Sequence, residues 1–157
     1  MIFIATHGFR FSGKDPIHTI KGLNQIDYLI AILETKQIAT VVVGTGSRFQ
    51  EMYDILKSAI PEGARKVHAI FCGTSDGLEE DGVTVILNNG RQVHIEDYAG
   101  LIKSRCFNPW EFIKMFGDNV LFLAGGELML ALGLGDINEK GQLYEIDPET
   151  KTGRKIS

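Results

Sequence analysis

The chain has 157 residues, 44% hydrophobic and 23% charged, with a formal net charge of −4. That length can bury a core without disulfide or metal staples, and one domain spanning 1–157 is expected. The charge balance gives no electrostatic case for nucleic acid or an anionic membrane as partner, and no run approaches the ~20 apolar residues of a membrane span. No basic segment followed by a long apolar stretch opens the chain. Cys72 and Cys106 stand apart without a C-x-x-C pairing, which fits two reduced thiols in a cytoplasmic protein and no cysteine-built metal site.

The chain opens on an apolar run, Ile2 to Thr6, that ends in His7, Gly8 and Arg10. It reads as a buried strand delivering an imidazole to a loop. Phe11 to His18 carries the Ser, Gly, Asp and Pro of an irregular loop. Thr19 is then placed to cap a helix from Ile20 to Thr35, whose apolar face is Leu23, Ile26, Ile30 and Leu33. Ile38 to Val43 is a second strand, and Gly44-Thr45-Gly46-Ser47-Arg48 turns it into a helix buried through Phe49, Met52, Tyr53 and Leu56. Lys66 to Cys72 reads as a third, buried strand containing His68. The alternation of strand and helix argues for a parallel sheet with right-handed crossovers.

The middle of the chain is less regular. Val83–Leu87 and Gln92–Ile95 flank Asn88-Asn89-Gly90-Arg91, a hairpin signal because Asn-Gly supplies positive φ. Pro109 opens a short helix with Trp110, Phe112, Ile113 and Phe116, and Asn119 to Leu123 is another buried strand. Gly125-Gly126 then lead into a helix from Glu127 to Leu132. Gln142–Ile146 and Thr152–Ile156 close the chain as a hairpin or an edge strand with a loose return. The expected fold is a three-layer α/β/α sandwich with a mostly parallel central sheet and a small mid-chain β-hairpin.

Ligand sites of such sheets gather beyond the carboxyl ends of the strands, where this reading brings His7, Arg48 and Gly125-Gly126 together. An arginine in the first turn of a helix opposes the macrodipole, so Arg48 asks for an anionic partner, a ligand or Glu51. His18 is the remaining histidine best placed to reach such a pocket, since His94 alternates toward the polar face of its strand. The four histidines lack i, i+4 spacing, so no metal is expected; nor is a cofactor. Gly44-x-Gly46 after a strand also permits a nucleotide-binding turn, although Phe49 stands where the third glycine of that pattern would be.

The strand ending in His7-Gly8, the segment Thr19-x-x-Gly22-x-x-Gln25 and the helix opening Arg48-x-x-Glu51 together resemble the histidine phosphatase superfamily, with its phosphoglycerate-mutase-like fold. The short length is most similar to its compact phosphohistidine-phosphatase branch. The resemblance implies a nucleophile at His7, an anion-binding arginine at Arg48, and a small phosphorylated molecule or phosphoprotein as substrate. This chain departs from the family at three positions. Thr6 stands in place of the arginine before the nucleophile, Gly44 in place of a serine, and Gly125 in place of the second histidine. Arg10 matches the second arginine of an Arg-His-Gly-x-Arg pattern and can restore the charge missing at Thr6. The resemblance puts the leaving-group acid among Asp76, Glu79 and Glu80, with Glu127 a further candidate beside the Gly125-Gly126 turn. Two readings follow: hydrolysis through a phosphohistidine at His7 with Glu127 assisting and Arg10, Arg48 and His18 on the phosphate, or a pseudo-phosphatase that binds phosphate without turnover.

Overall fold

The computed structural model describes residues 1–105, 108–134 and 140–157, so Cys106 lies outside the described residues. The first strand, β1 (Ile2–Thr6), is buried along its whole length because it is covered on both faces. Its even residues Ile2 and Ile4 pack with one set of helices, and its odd residues Phe3 and Ala5 pack with another. This period-two division is what a strand inside a three-layer sandwich requires.

The central sheet has six strands in the order β3-β2-β7-β1-β8-β9. Here β2 is Thr40–Val43, β3 Arg65–His68, β7 Val120–Ala124, β8 Leu143–Asp147 and β9 Thr152–Lys155. The first four of that order run parallel, and β8 and β9 add an antiparallel hairpin beside β1. Helices α1 (Ile20–Asp27), α2 (Ile30–Leu33) and α3 (Ser47–Leu56) cover one face through Ile26, Leu33, Phe49, Met52 and Leu56. Helices α5 (Pro109–Lys114) and α6 (Gly126–Leu132) cover the other through Phe112, Ile113, Leu128, Met129 and Leu132. No described helix is long and apolar enough to cross a membrane.

Three expectations for the main sheet and its first helix need correction. The helix expected over Ile20–Thr35 breaks at Tyr28-Leu29, where the Leu29 N–H bonds the Ile26 carbonyl at 2.9 Å, one residue short of helical spacing. The third strand ends at His68 and is followed by a 3-10 turn over Ile70–Cys72. It is also an edge strand, so His68 is exposed instead of buried.

The mid-chain excursion is larger than a hairpin. Strands β5 (Thr84–Ile86) and β6 (Gln92–His94) pair as expected, with Gly90 at φ +88°, but β4 (Gly77–Leu78) joins them as a third strand. Ile95, read as the end of a strand, instead begins helix α4 (Ile95–Arg105), which carries Glu96 and Asp97 in its first turn. This unit has its own apolar cluster of Val85, Leu87 and Tyr98.

Candidate active site

The carboxyl ends of β1, β2 and β7 are level, with Thr6 opposite Ala124 and Val43 opposite Leu123. The loops that follow them therefore meet. His7, only 3% exposed, continues the ladder by one bond, its N–H reaching the Ala124 carbonyl at 3.1 Å. Its Nδ1 lies 2.9 Å from the Gly8 carbonyl oxygen. A carbonyl only accepts, so Nδ1 carries the proton and Nε2 keeps its lone pair. Burial, helped by the charges of Arg48, Lys140 and Arg10, holds the ring well below its ordinary pKa of 6.5, so His7 is neutral at pH 7.

The segment Thr19-x-x-Gly22-x-x-Gln25 holds this loop in place. Thr19 Oγ1 accepts from the Gly22 N–H at 3.1 Å and caps α1, while Gln25 Oε1 accepts from the Phe9 N–H at 2.8 Å. Gly22 is bare because the loop lies directly on the helix: a Cβ there would fall 1.9 Å from the Phe9 carbonyl oxygen. The pattern is thus a cradle for the turn after β1.

His18 belongs to that cradle and not to the pocket lining. Its Nε2 accepts from the Gly8 N–H at 3.0 Å, which leaves the proton on Nδ1 to be donated to Glu51 Oε1 at 3.1 Å. With both ring nitrogens engaged, the phosphate contact expected of His18 has no free atom to rest on. Glu51 also accepts from the His18 backbone N–H at 2.8 Å, so the Glu51 of Arg48-x-x-Glu51 orients His18. Burial lowers the His18 pKa despite this carboxylate.

Arg10 pairs with His18 in an isolated antiparallel bridge and turns inward onto the pocket. Its Nε and Nη1 are buried without a hydrogen-bond partner, and burial together with Arg48 lowers its pKa to about 10. Arg48 is 1% exposed and is not on the lining; its Nη1 donates to the Thr74 carbonyl at 2.9 Å and its Nε has no partner. Its guanidinium carbon stands 4.4 Å from the centre of the Phe49 ring. Burial lowers the Arg48 pKa as well, with Glu127 the strongest opposing influence.

Glu127 fills the space beside Gly125. A Cβ on residue 125 would lie 1.7 Å from Glu127 Oε2, so this carboxylate position requires glycine there. Glu127 Oε1 is 3.8 Å from Arg48 Nη2 and 3.4 Å from the Tyr98 hydroxyl, whose single proton goes to the nearer Asp76 Oδ2 at 2.9 Å. Asp76 Oδ1 accepts from the Asn88 N–H at 2.6 Å. Of the three acids considered with it, only Asp76 reaches the pocket; Glu79 and Glu80 border a separate open groove with Asp81. Thr6 turns toward β8, where its Oγ1 accepts from the Gln142 N–H at 3.0 Å.

Around these groups is a cavity of about 70 Å³, with charged and polar atoms from His7, Arg10, Asp76, Glu127 and Lys140 and mostly apolar lining from Leu78, Val85, Ile95 and Tyr98. Sequence reasoning missed Lys140, which matches no pattern, and Tyr98, whose helix announces itself only by Glu96-Asp97 at its start. The glycines of the possible nucleotide turn have other causes. A Cβ at Gly44 would meet the Phe49 ring at 2.6 Å and one at Gly46 the Thr74 carbonyl oxygen at 2.4 Å. Asp15 already occupies the N-terminus of α3, accepting from the Ser47 N–H at 2.9 Å and its hydroxyl at 2.6 Å. Among the described residues, no group of three or more His, Cys, Asp or Glu side chains could hold a metal ion.

No family model matches the sequence, and no curated protein matches it significantly. Solved structures do match, over 99% of this chain. They include the alpha-ribazole phosphatase from Shigella flexneri, with 12% identity, 94% of that chain covered and a TM-score of 0.61. A mycobacterial glucosyl-3-phosphoglycerate phosphatase in complex with VO3 gives 14% identity, 96% coverage and a TM-score of 0.61. The protein histidine phosphatase SixA in complex with tungstate gives 12% identity, 94% coverage and a TM-score of 0.54. The chain therefore has the fold of the histidine phosphatases, the phosphoglycerate-mutase-like α/β/α sandwich. Its near-complete coverage of SixA fits the compact form of that fold.

Proposed function

We propose that the protein is a phosphoric monoester hydrolase that works through a phosphohistidine at His7. The observation that carries this reading is the set of buried, unpartnered donors, Nε and Nη1 of Arg10 and Nε of Arg48, beside a neutral histidine with a free Nε2. A buried donor left unpaired costs roughly 1–3 kcal/mol, and more when it is charged. A phosphoryl group bound in the pocket would recover that cost at Arg10, which lines it.

In this reading Arg10 contacts the equatorial oxygens, and Arg48 contributes positive charge from behind the lining. His7 Nε2 attacks phosphorus and the bond to the ester oxygen breaks. The leaving oxygen takes its proton from the Glu127 carboxyl. Water then gives a proton to the Glu127 carboxylate and attacks the phosphohistidine. Inorganic phosphate leaves, and both side chains return to their starting states.

Incubation with p-nitrophenyl phosphate should release phosphate and leave a phosphorylated His7 detectable by mass spectrometry. His7→Ala should abolish both, with a loss of about a thousandfold or more in kcat. A second reading, phosphate binding without turnover, is favoured by one observation: Thr6 is turned away to Gln142 and a carboxylate stands beside Gly125, so the pocket holds less positive charge than the family pattern implies. Absence of turnover and of His7 labelling, together with a phosphate-dependent rise in Tm that Arg10→Ala removes, would decide for it.

A further inference from the structure

We infer that the pocket selects small phosphomonoesters whose leaving group is apolar, an aryl or short alkyl alcohol, over polyhydroxylated esters and over phosphorylated protein side chains. The inference rests on the reading of His7, Arg10 and Glu127 as the phosphoryl end of the site. The rest of the lining is built by the small sheet and α4, from Leu78, Val85, Ile95 and Tyr98. It offers mostly apolar surface, and its polar side chains are engaged with one another. Tyr98 gives its proton to Asp76, and the two Asp76 oxygens accept from Tyr98 and from the Asn88 N–H.

A sugar or glycerol hydroxyl placed against Leu78, Val85 and Ile95 would lose its water to apolar surface, which burial penalises. An apolar group would gain by leaving water. Size argues the same way. A cavity of about 70 Å³, on a measure where one water needs roughly 10–15 Å³, takes a phosphoryl group with a compact leaving group and no more. The backbone on either side of a phosphorylated protein residue would have to stay outside.

The wall is also packed from within. Val85 is 4% exposed and Tyr98 9%, packed with Leu87 in a cluster separate from the two that flank the central sheet. Its shape is therefore set by the excursion's own packing, and a substitution there can alter the choice of leaving group without touching β1 or β7.

The test compares kcat/KM for benzyl phosphate, glycerol 3-phosphate and a phosphohistidine peptide. Benzyl phosphate and glycerol 3-phosphate both release a primary alcohol, so leaving-group basicity does not decide between them. Benzyl phosphate should be preferred by about tenfold or more, the discrimination an apolar pocket gives for one or two carbon groups. Ile95→Gln and Leu78→Gln, both at half-buried positions, should shrink that ratio. Equal rates, a reversed order, or faster hydrolysis of the peptide would overturn the inference while leaving the hydrolase reading intact. If no ester is turned over, the hydrolase reading fails and the inference is judged by binding. Benzylphosphonate must then raise Tm more than glycerol 3-phosphate at equal concentration, and equal shifts overturn it.

Discussion

The two sides of the pocket come from two kinds of sheet. The side proposed to hold the phosphoryl group is assembled at the carboxyl ends of parallel strands, where β1, β2 and β7 stop level and their loops bring His7, Arg48 and Glu127 together across more than a hundred residues of sequence. The opposite side is a local antiparallel unit, β4-β5-β6 with α4, that closes on itself within residues 77–105. A parallel sheet buried on both faces has nowhere to put polar side chains except at strand ends, so charge collects there. The antiparallel unit needs one apolar face for its own cohesion, and that face is what the pocket meets. On the proposed reading, chemistry and selectivity are carried by regions with separate apolar cores.

The largest effect should come from the polar side. Arg10→Ala should lower kcat/KM by about a hundredfold or more, the usual consequence of removing one charge-stabilising donor, whereas the substitutions at Leu78 and Ile95 should change preference far more than rate. A loss of similar size from both sides would break the division of labour, and steady-state kinetics on one substrate series decides it.

Glu127→Gln should follow, with kcat down about a hundredfold on an alkyl phosphate that needs leaving-group protonation. The loss should be far smaller on p-nitrophenyl phosphate, whose leaving group departs without it. Equal losses on both substrates would mean that Glu127 acts on charge and not as an acid.

Gly22→Ala tests the cradle. Its methyl would meet the Phe9 carbonyl, which is backbone and cannot turn aside, so destabilisation of about 1–3 kcal/mol and a displaced His7 loop are expected in thermal unfolding and activity together. An alanine variant with unchanged Tm would show that the loop does not need its close seat on α1.

The smallest effect is a pH dependence of stability. In the folded chain burial and Arg48 hold His7 well below 6.5, and His18 shifts the same way, so as pH falls below 6.5 the unfolded chain takes up protons that the folded chain refuses. The contribution is complete above 6.5 and lost on acidification, by at most about 1.4 kcal/mol per pH unit for each ring. Tm measured from pH 8 to 5 should decline toward acid, and His7→Gln should flatten that decline.

The sequence by itself determined the framework: the order of the central-sheet strands and the helices that cover them, the layered arrangement, and the convergence of His7, Arg48 and Gly125 at the carboxyl ends of the strands. These follow from period-two and 3.6-residue apolar patterns and from glycines at strand ends, all of which are local signals. It also marked Thr19, Gly22 and Gln25, although their purpose as a seat for the His7 turn becomes visible only when the loop lies on the helix. The tertiary structure alone decided that His18 spends both ring nitrogens on Gly8 and Glu51, that Arg10 turns inward, and that Glu127 takes the room left by Gly125. It likewise revealed α4 with Tyr98, and Lys140 beside the pocket. A side chain with two polar atoms can satisfy them in several ways, and which one wins depends on the segments packed against it, such as Glu51 with His18 and Tyr98 with Asp76. No periodicity in the chain encodes that choice.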